Sequence, residues 1–368
     1  MDLKRENVEA YLQSIFGNEV RLKSFRRMGE TIATTEDVKG FGYGSPLLVE
    51  FTAKKGKKGK EGNRSAVLST MRVQYGFGHD HFSDRGAVLL WQHDAFNRLP
   101  GHVRSLDVGY FDGSGQLTSC GDAREFFLLM EKVDGQEYFY DLERIKEHGA
   151  TDLDLERVVA LADYLARIHR DKKDLPALYQ RKIRDLVGHG ECIMGILDDY
   201  PESPAFLFQD ELAEIEKLCV EWRWRLRGMS HRLCQTHGDF HPWNVMFREG
   251  TDFTVLDRSR GEFGEAADDI TAMTMNYIFY SVQKSFRLSG ALKDLFELFF
   301  ESYLDRTGDE ELFRVIGPFF AFRAMVVASP TWYPLLGDDV RRTLFNFVEN
   351  VLRTEEFDYL DVNNYMLE

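Results

Sequence analysis

Between Thr236 and Asp257 the chain sets an aspartate, an asparagine five residues on, and a second aspartate thirteen residues beyond that, around two short apolar runs. The order is Thr236-His237-Gly238-Asp239-Phe240-His241-Pro242-Trp243-Asn244, then Val245-Met246-Phe247, then Arg248-Glu249-Gly250-Thr251-Asp252, then Phe253-Thr254-Val255-Leu256-Asp257. Two short apolar runs around a polar, glycine-containing turn predict a β-hairpin. A hairpin brings its outer ends together. Asn244 and Asp257 are therefore expected at neighbouring ends of paired strands, where one cation can bridge them. Kinase-type phosphoryl transfer needs these groups in this order. One carboxylate orients the acceptor hydroxyl, and the amide and second carboxylate hold Mg²⁺ against the nucleotide phosphates.

The 368 residues suffice for two domains, or two lobes around one cleft. No run of eighteen apolar residues indicates a membrane span, and the charged segment Met1 to Asn7 lacks an apolar signal region. Cys120, Cys192, Cys219 and Cys234 have no C-x-x-C spacing and read as reduced, mostly buried thiols of a cytoplasmic protein. A formal charge of −15 argues against a general nucleic-acid binder. Residues 1–133 carry a net +2 and the remainder a net −17. An acidic cleft would attract a cationic acceptor, whereas a plain solvated acidic surface explains the same charge and is the simpler account.

The texture changes along the chain. Residues 1–20 carry Val8, Tyr11, Leu12, Ile15 and Phe16 at helical spacing. Strands are expected over Leu47 to Phe51, Ala66 to Met71, Val103 to Phe111 and Phe126 to Val133. A helix is expected over Asp84 to Phe96, with Asp84 as its cap. The Lys/Gly run Lys54 to Gly62 reads as an exposed hairpin loop. After Val133-Asp134-Gly135 helices dominate, over Leu155–Arg170, Ile183–Leu197, Glu211–Leu226, Asp268–Lys284, Leu292–Tyr303, Glu310–Val327 and Val340–Leu352. The expectation is an α+β, bilobal protein-kinase-like fold. Residues 1–133 form a small antiparallel β-sheet N-lobe with one helix that binds nucleotide. Residues 134–368 form a larger, mainly helical C-lobe with the catalytic loop and acceptor site.

His237, Gly238, Asp239, Asn244 and Asp257 resemble the H-G-D-x-x-x-x-N pattern, followed by a strand ending in Asp, of the aminoglycoside phosphotransferase and choline kinase superfamily. The resemblance is strongest over residues 232–272. It implies ATP and Mg²⁺ as cofactors and a small-molecule hydroxyl as acceptor. It also implies Asp239 as the catalytic carboxylate, with Asn244 and Asp257 as Mg²⁺ ligands. A further Asp opening the next helix belongs to the pattern, and Asp269 fits it better than Asp268. His237 is expected beneath the loop as a structural residue.

Other positions are less tightly specified. Gly40, Gly42, Gly44 and Ser45 resemble a phosphate loop leading into a strand. Kinases of this fold carry a Lys on the third strand, but Ser69 stands there. Arg72 is the nearest cation that could grip phosphate. The stretch from Met130 through Glu131 to Val133 is the expected hinge, reading adenine through backbone groups. Arg258 and Arg260 are candidates for a phosphate or acceptor contact. Trp243 is the favoured acceptor-pocket aromatic, while Trp222 and Trp224 suit core packing. His79-Asp80-His81 reads as ordinary loop. The missing Lys leaves one alternative, a pseudokinase-like nucleotide-binding regulatory or scaffold protein. A second rival, a metal hydrolase on His237 and His241, lacks evident further ligands. Oligomeric state is not legible.

Overall fold

The computed structural model describes residues 3–28, 44–54, 61–73, 76–208 and 210–368. The chain divides into two compact units, Met1–Met130 and Glu131–Glu368, against an expected division after Val133. Gly40 and Gly42 of the glycine run, and residues 55–60 of the Lys/Gly run, lie outside the described residues.

The first unit opens with α1 (Arg5–Phe16), whose Val8 and Leu12 are buried. A three-stranded antiparallel sheet follows, β1 (Arg21–Arg27), β2 (Gly44–Lys54) and β3 (Glu61–Met71), in the order β1-β2-β3. The register of β2 on β3 runs unbroken from Gly44↔Met71 to Lys54↔Glu61. Alternation puts Val49, Phe51 and Ala53 of β2 into a core with Val8, Leu12 and Leu22. The second helix, α2 (Phe82–Arg98), buries no residue fully. A cavity of about 530 Å³ lies between it, α1, the sheet and the segment from Val103 to Phe111.

Three expectations for this unit need correction. Asp84 does not cap α2 as its first residue. His81 is the cap, and Asp84 accepts from the His81 backbone N–H at 2.9 Å from within the first turn. Of Val103 to Phe111 only β4 (Gly109–Phe111) is strand, and it pairs with β5 (Leu117–Ser119). Phe126 to Val133 forms no strand and pairs with neither β4 nor β5. Phe127, Leu128 and Leu129 are exposed there, not core.

The second unit is mainly helical: α3 (Tyr138–His148), α4 (Asp152–Ile168), α5 (Pro176–Gly188), α6 (Ile193–Asp199), α7 (Glu211–Leu226), α8 (Ala266–Ser285), α9 (Gly290–Thr307), α10 (Gly317–Ala328) and α11 (Asp338–Arg353). Its strands are short: β6 (Gln136–Glu137), β7 (Cys234–Gln235), β8 (Val245–Phe247), β9 (Phe253–Val255) and β10 (Phe263–Gly264). They pair as β6-β8-β9 and β10-β7. Two helices expected as single pieces are broken. Ile183–Leu197 splits into α5 and α6 at Gly188-His189-Gly190, where glycine lowers helix propensity. Glu310–Val327 splits into a 3-10 turn at Glu310–Arg314 and α10, with Pro318 in the new helix's first turn. Trp222 is buried and donates Nε1–H to the Leu352 carbonyl at 2.8 Å, whereas Trp224 is exposed between Arg223 and Arg227. Residues two apart on a helix face nearly opposite ways, so both could not share one core.

A buried cation ties the strands to the helices. Arg232, ahead of β7, pairs with Glu265 at 2.8 Å and with Asp309 at 2.7 Å. Glu265 also accepts from the Tyr179 hydroxyl at 2.8 Å and immediately precedes α8. This network fixes where the 236–241 loop begins and where α8 starts. The sequence reading gave no role to Arg232 or Glu265.

Candidate active site

The loop from Thr236 to His241 leaves β7 and is held by the start of α8. Asp269, fully buried, accepts from the His237 N–H at 2.8 Å and from the Gly238 N–H at 2.6 Å. Its Oδ2 also meets His169 Nε2 at 3.1 Å. With Nε2 donating, His169 Nδ1 is left to accept from the Tyr303 hydroxyl at 2.9 Å. Two backbone donors on one carboxylate draw the turn tight, and Gly238 makes it with φ +87, a conformation open to glycine. A Cβ at Gly238 would also stand 3.1 Å from that of Arg260. His237 is buried, and its Nδ1 accepts from the Asp239 N–H at 3.3 Å. Burial lowers its pKa, so the ring stays neutral.

Asp239 is half-buried. Its Oδ1 meets Arg323 Nη1 at 2.5 Å, and its Oδ2 stands 3.4 Å from His241 Nε2. Burial alone would push the carboxyl up. The His241 hydrogen bond and the charges of Arg323, His241 and Arg260 overcome that and hold it well below the usual carboxylate range. It is therefore an anion at neutral pH, suited to accept a hydrogen bond.

The Val245–Val255 hairpin sets the other two candidates. β8 and β9 pair in the register Val245↔Val255, Met246↔Thr254 and Phe247↔Phe253. The Leu256 N–H donates to the Asn244 carbonyl at 2.8 Å, so Asn244 and Asp257 stand at neighbouring ends of the pair. Asn244 uses Nδ2 on the Asp239 carbonyl at 3.0 Å and approaches His241 Nε2 at 3.3 Å. Among the described residues its Oδ1 accepts no hydrogen bond, and the exposed Asp257 carboxylate has neither hydrogen bond nor ion pair. Asp257 has φ +55, left-handed backbone that few non-glycine residues adopt. An amide oxygen and a carboxylate, both without partners, suit a hard oxygen-seeking cation such as Mg²⁺, which keeps water and phosphate as its other ligands. No group of three or more His, Cys, Asp or Glu side chains able to hold a metal occurs among the described residues.

The remaining candidates are dispersed. Gly44 and Ser45 open β2, opposite Met71 and Thr70. Ser69 is an exposed β3 residue opposite Pro46, and Arg72 is exposed just beyond the strand. Glu131 and Val133 lie outside any strand or helix. Arg258 donates Nε to the Thr236 carbonyl at 2.9 Å and Nη2 to the Glu262 carbonyl at 2.8 Å, so it braces the loop. Arg260 lies over the Phe322 ring, 5.3 Å from its centroid. Trp243 stacks on Phe139 at 5.1 Å and stays partly open, whereas Tyr277 is buried against the Tyr138 hydroxyl at 3.3 Å. His81 caps α2, and Asp80 accepts from the Gly76 N–H at 2.8 Å. Arg323 and His169 were missed. A lone Arg or His on a helical stripe carries no local signal, and both act over long sequence separations.

A model of the phosphotransferase enzyme family matches residues 103–291, just over half of the chain. This chain belongs to that family. It is a phosphotransferase, built of helices and small antiparallel sheets. No curated protein matches the sequence. Among solved structures it is similar to an ethanolamine kinase of Plasmodium vivax, with 13% identity, 97% of this chain and 85% of that chain covered, and a TM-score of 0.36. It is also similar to the choline kinase LicA of Streptococcus pneumoniae, with 13% identity, 94% and 98% covered, and a TM-score of 0.34. A third is spectinomycin phosphotransferase APH(9)-Ia, with 11% identity, 100% and 98% covered, and a TM-score of 0.34. These three likenesses concern the fold.

Proposed function

We propose that this phosphotransferase uses ATP and Mg²⁺ and moves the γ-phosphoryl group to a hydroxyl of a small molecule. The observation that carries this reading is the pair of unpartnered oxygen donors, Asn244 Oδ1 and the Asp257 carboxylate, at adjoining hairpin ends beside the anionic Asp239. Bound there, the cation would neutralise charge on the nucleotide phosphates. Asp239 accepts a hydrogen bond from the acceptor hydroxyl and aims its oxygen at the phosphorus. The acceptor oxygen bonds to phosphorus as the bond to the bridging oxygen of the departing diphosphate breaks. The hydroxyl proton passes towards Asp239 late in a loose transition state. In the first unit, Gly40, Gly42, Gly44 and Ser45 with Arg72 would steady the phosphates, and the backbone at Glu131 and Val133 would read the base. Should the acidity of residues 134–368 extend to the cleft, it would attract a cationic acceptor. A cytoplasmic setting, where ATP is plentiful and thiols stay reduced, belongs to the same reading.

The test is transfer of radiolabelled γ-phosphate to a panel of amino alcohols, sugars and aminocyclitols, with and without Mg²⁺. Asp239→Asn is expected to lower transfer by about 10³-fold with nucleotide affinity retained. Full activity in this variant would sink the assignment. The Ser at position 69 favours one second reading, a nucleotide-binding protein without transfer. Nucleotide binding with no labelled product from any member of the panel would select it.

A further inference from the structure

Asp239 is gripped from a helix 84 residues away in the sequence. Arg323 of α10 donates Nη1 to Asp239 Oδ1 at 2.5 Å, and Nη2 to Asp268 Oδ1 at 2.6 Å and to the Gly238 carbonyl at 3.1 Å. Arg323 is only 6% exposed, its buried Nε has no hydrogen-bond partner, and its guanidinium lies over the Phe322 ring, 4.9 Å from the centroid. The Nη contacts supply all of its hydrogen bonds among the described residues. Two of the three are to groups other than the catalytic candidate, so the fork stays in place if Asp239 moves. A lysine could not span the three acceptors at once, because its ammonium is a point charge without a planar fork.

The grip is also asymmetric. Arg323 occupies Oδ1, while Oδ2 has His241 Nε2 at 3.4 Å, the weaker contact. Of the two carboxylate oxygens, Oδ2 is the one with capacity for a new donor.

We propose that Arg323 is a positioning residue for phosphoryl transfer: braced by Asp268 and the Gly238 carbonyl, its guanidinium pins Oδ1 of Asp239 and turns Oδ2 to the acceptor hydroxyl. The proposal rests on the phosphoryl-transfer reading of Asp239. Arg323 of α10, His241 of the same loop and Arg260 after β9 are the cationic groups that favour the ionised carboxylate.

The experiment compares wild type, Arg323→Gln, Arg323→Lys and the double variant Arg323→Gln/Asp268→Asn. The double variant removes the carboxylate that would otherwise be stranded, which protects the fold. Labelled phosphate from ATP is followed to water and to the same hydroxyl panel. Nucleotide affinity is measured separately with a fluorescent analogue. Expected are a kcat lower by about 100-fold in both Gln variants, unchanged nucleotide affinity, and partial recovery in Arg323→Lys. Wild-type kcat in either Gln variant overturns the proposal. So does a loss shared equally by nucleotide affinity, which marks a structural role. An inactive Asp239→Asn beside a fully active Arg323→Gln defeats the positioning role alone. An active Asp239→Asn, or a wild type that yields no labelled product, defeats the phosphoryl-transfer reading and this proposal together.

Discussion

Asp257 holds a left-handed backbone angle that glycine adopts freely, yet its exposed carboxylate has neither hydrogen bond nor ion pair among the described residues. A strained residue whose side chain has no polar partner contributes little to folding, and such strain points to a ligand. Asp257→Gly should therefore raise stability by about 1 kcal/mol while abolishing Mg²⁺-dependent transfer. Thermal unfolding beside the labelled-phosphate assay would check both halves, and a less stable variant would refute the argument. Asp269 is the opposite case. Its two oxygens accept from two backbone donors and from His169. Asn in its place would turn an amide N–H towards an N–H donor. Asp269→Asn should cost about 3 kcal/mol, measured by urea denaturation. An unchanged midpoint would show that the loop does not depend on this anchor. The proximity of Asp268 and Asp269 in sequence hides this division of labour. Asp269 supports the turn, and Asp268 braces Arg323.

Among the elements, the β8–β9 hairpin was the most legible. Its register depends only on local alternation and a polar turn, both of which lie within a few residues. Helices with long apolar stripes were equally plain, and Glu211–Leu226 has the expected ends. Interruptions were not visible, because they depend on what packs against the chain. At α6, Gly195 brings its backbone against Gly190, and a Cβ there would lie 1.9 Å from the Gly190 carbonyl oxygen. Helix propensity favours Ala over Gly by about 1 kcal/mol. The overlap outweighs it, since overpacking typically costs about 1–3 kcal/mol. Gly195→Ala should lower the thermal midpoint, and a rise would mean that α6 can shift away. The segment from Phe126 to Val133 shows the converse limit. Its composition suits a strand, but a strand exists only where the chain is brought alongside a neighbour's edge, and this segment pairs with neither β4 nor β5.

For the molecule as a whole, the four cysteines are free, with Cys192, Cys219 and Cys234 buried and Cys120 half-buried. Burial pushes the Cys192 thiol up to about 11 and the Cys219 thiol up to about 12. A chromogenic thiol reagent near pH 8 should modify at most Cys120 in the native state and all four thiols in denaturant. Rapid native modification of three or more would contradict the packing of the second unit. No helix among the described residues is long and apolar enough to cross a membrane. By itself the sequence determined the family, the helical character of residues 134–368 and the β8–β9 hairpin, and it singled out Asp239, Asn244 and Asp257 as the candidate site. All of these follow from short-range spacing and hydrophobic period. Only the tertiary structure decided what surrounds those residues. Arg323 reaches Asp239, His169 reaches Asp269, and Arg232 gathers Glu265 and Asp309 across long stretches of chain. Ion pairs and hydrogen bonds of that kind depend on distance in space, which residue spacing does not encode.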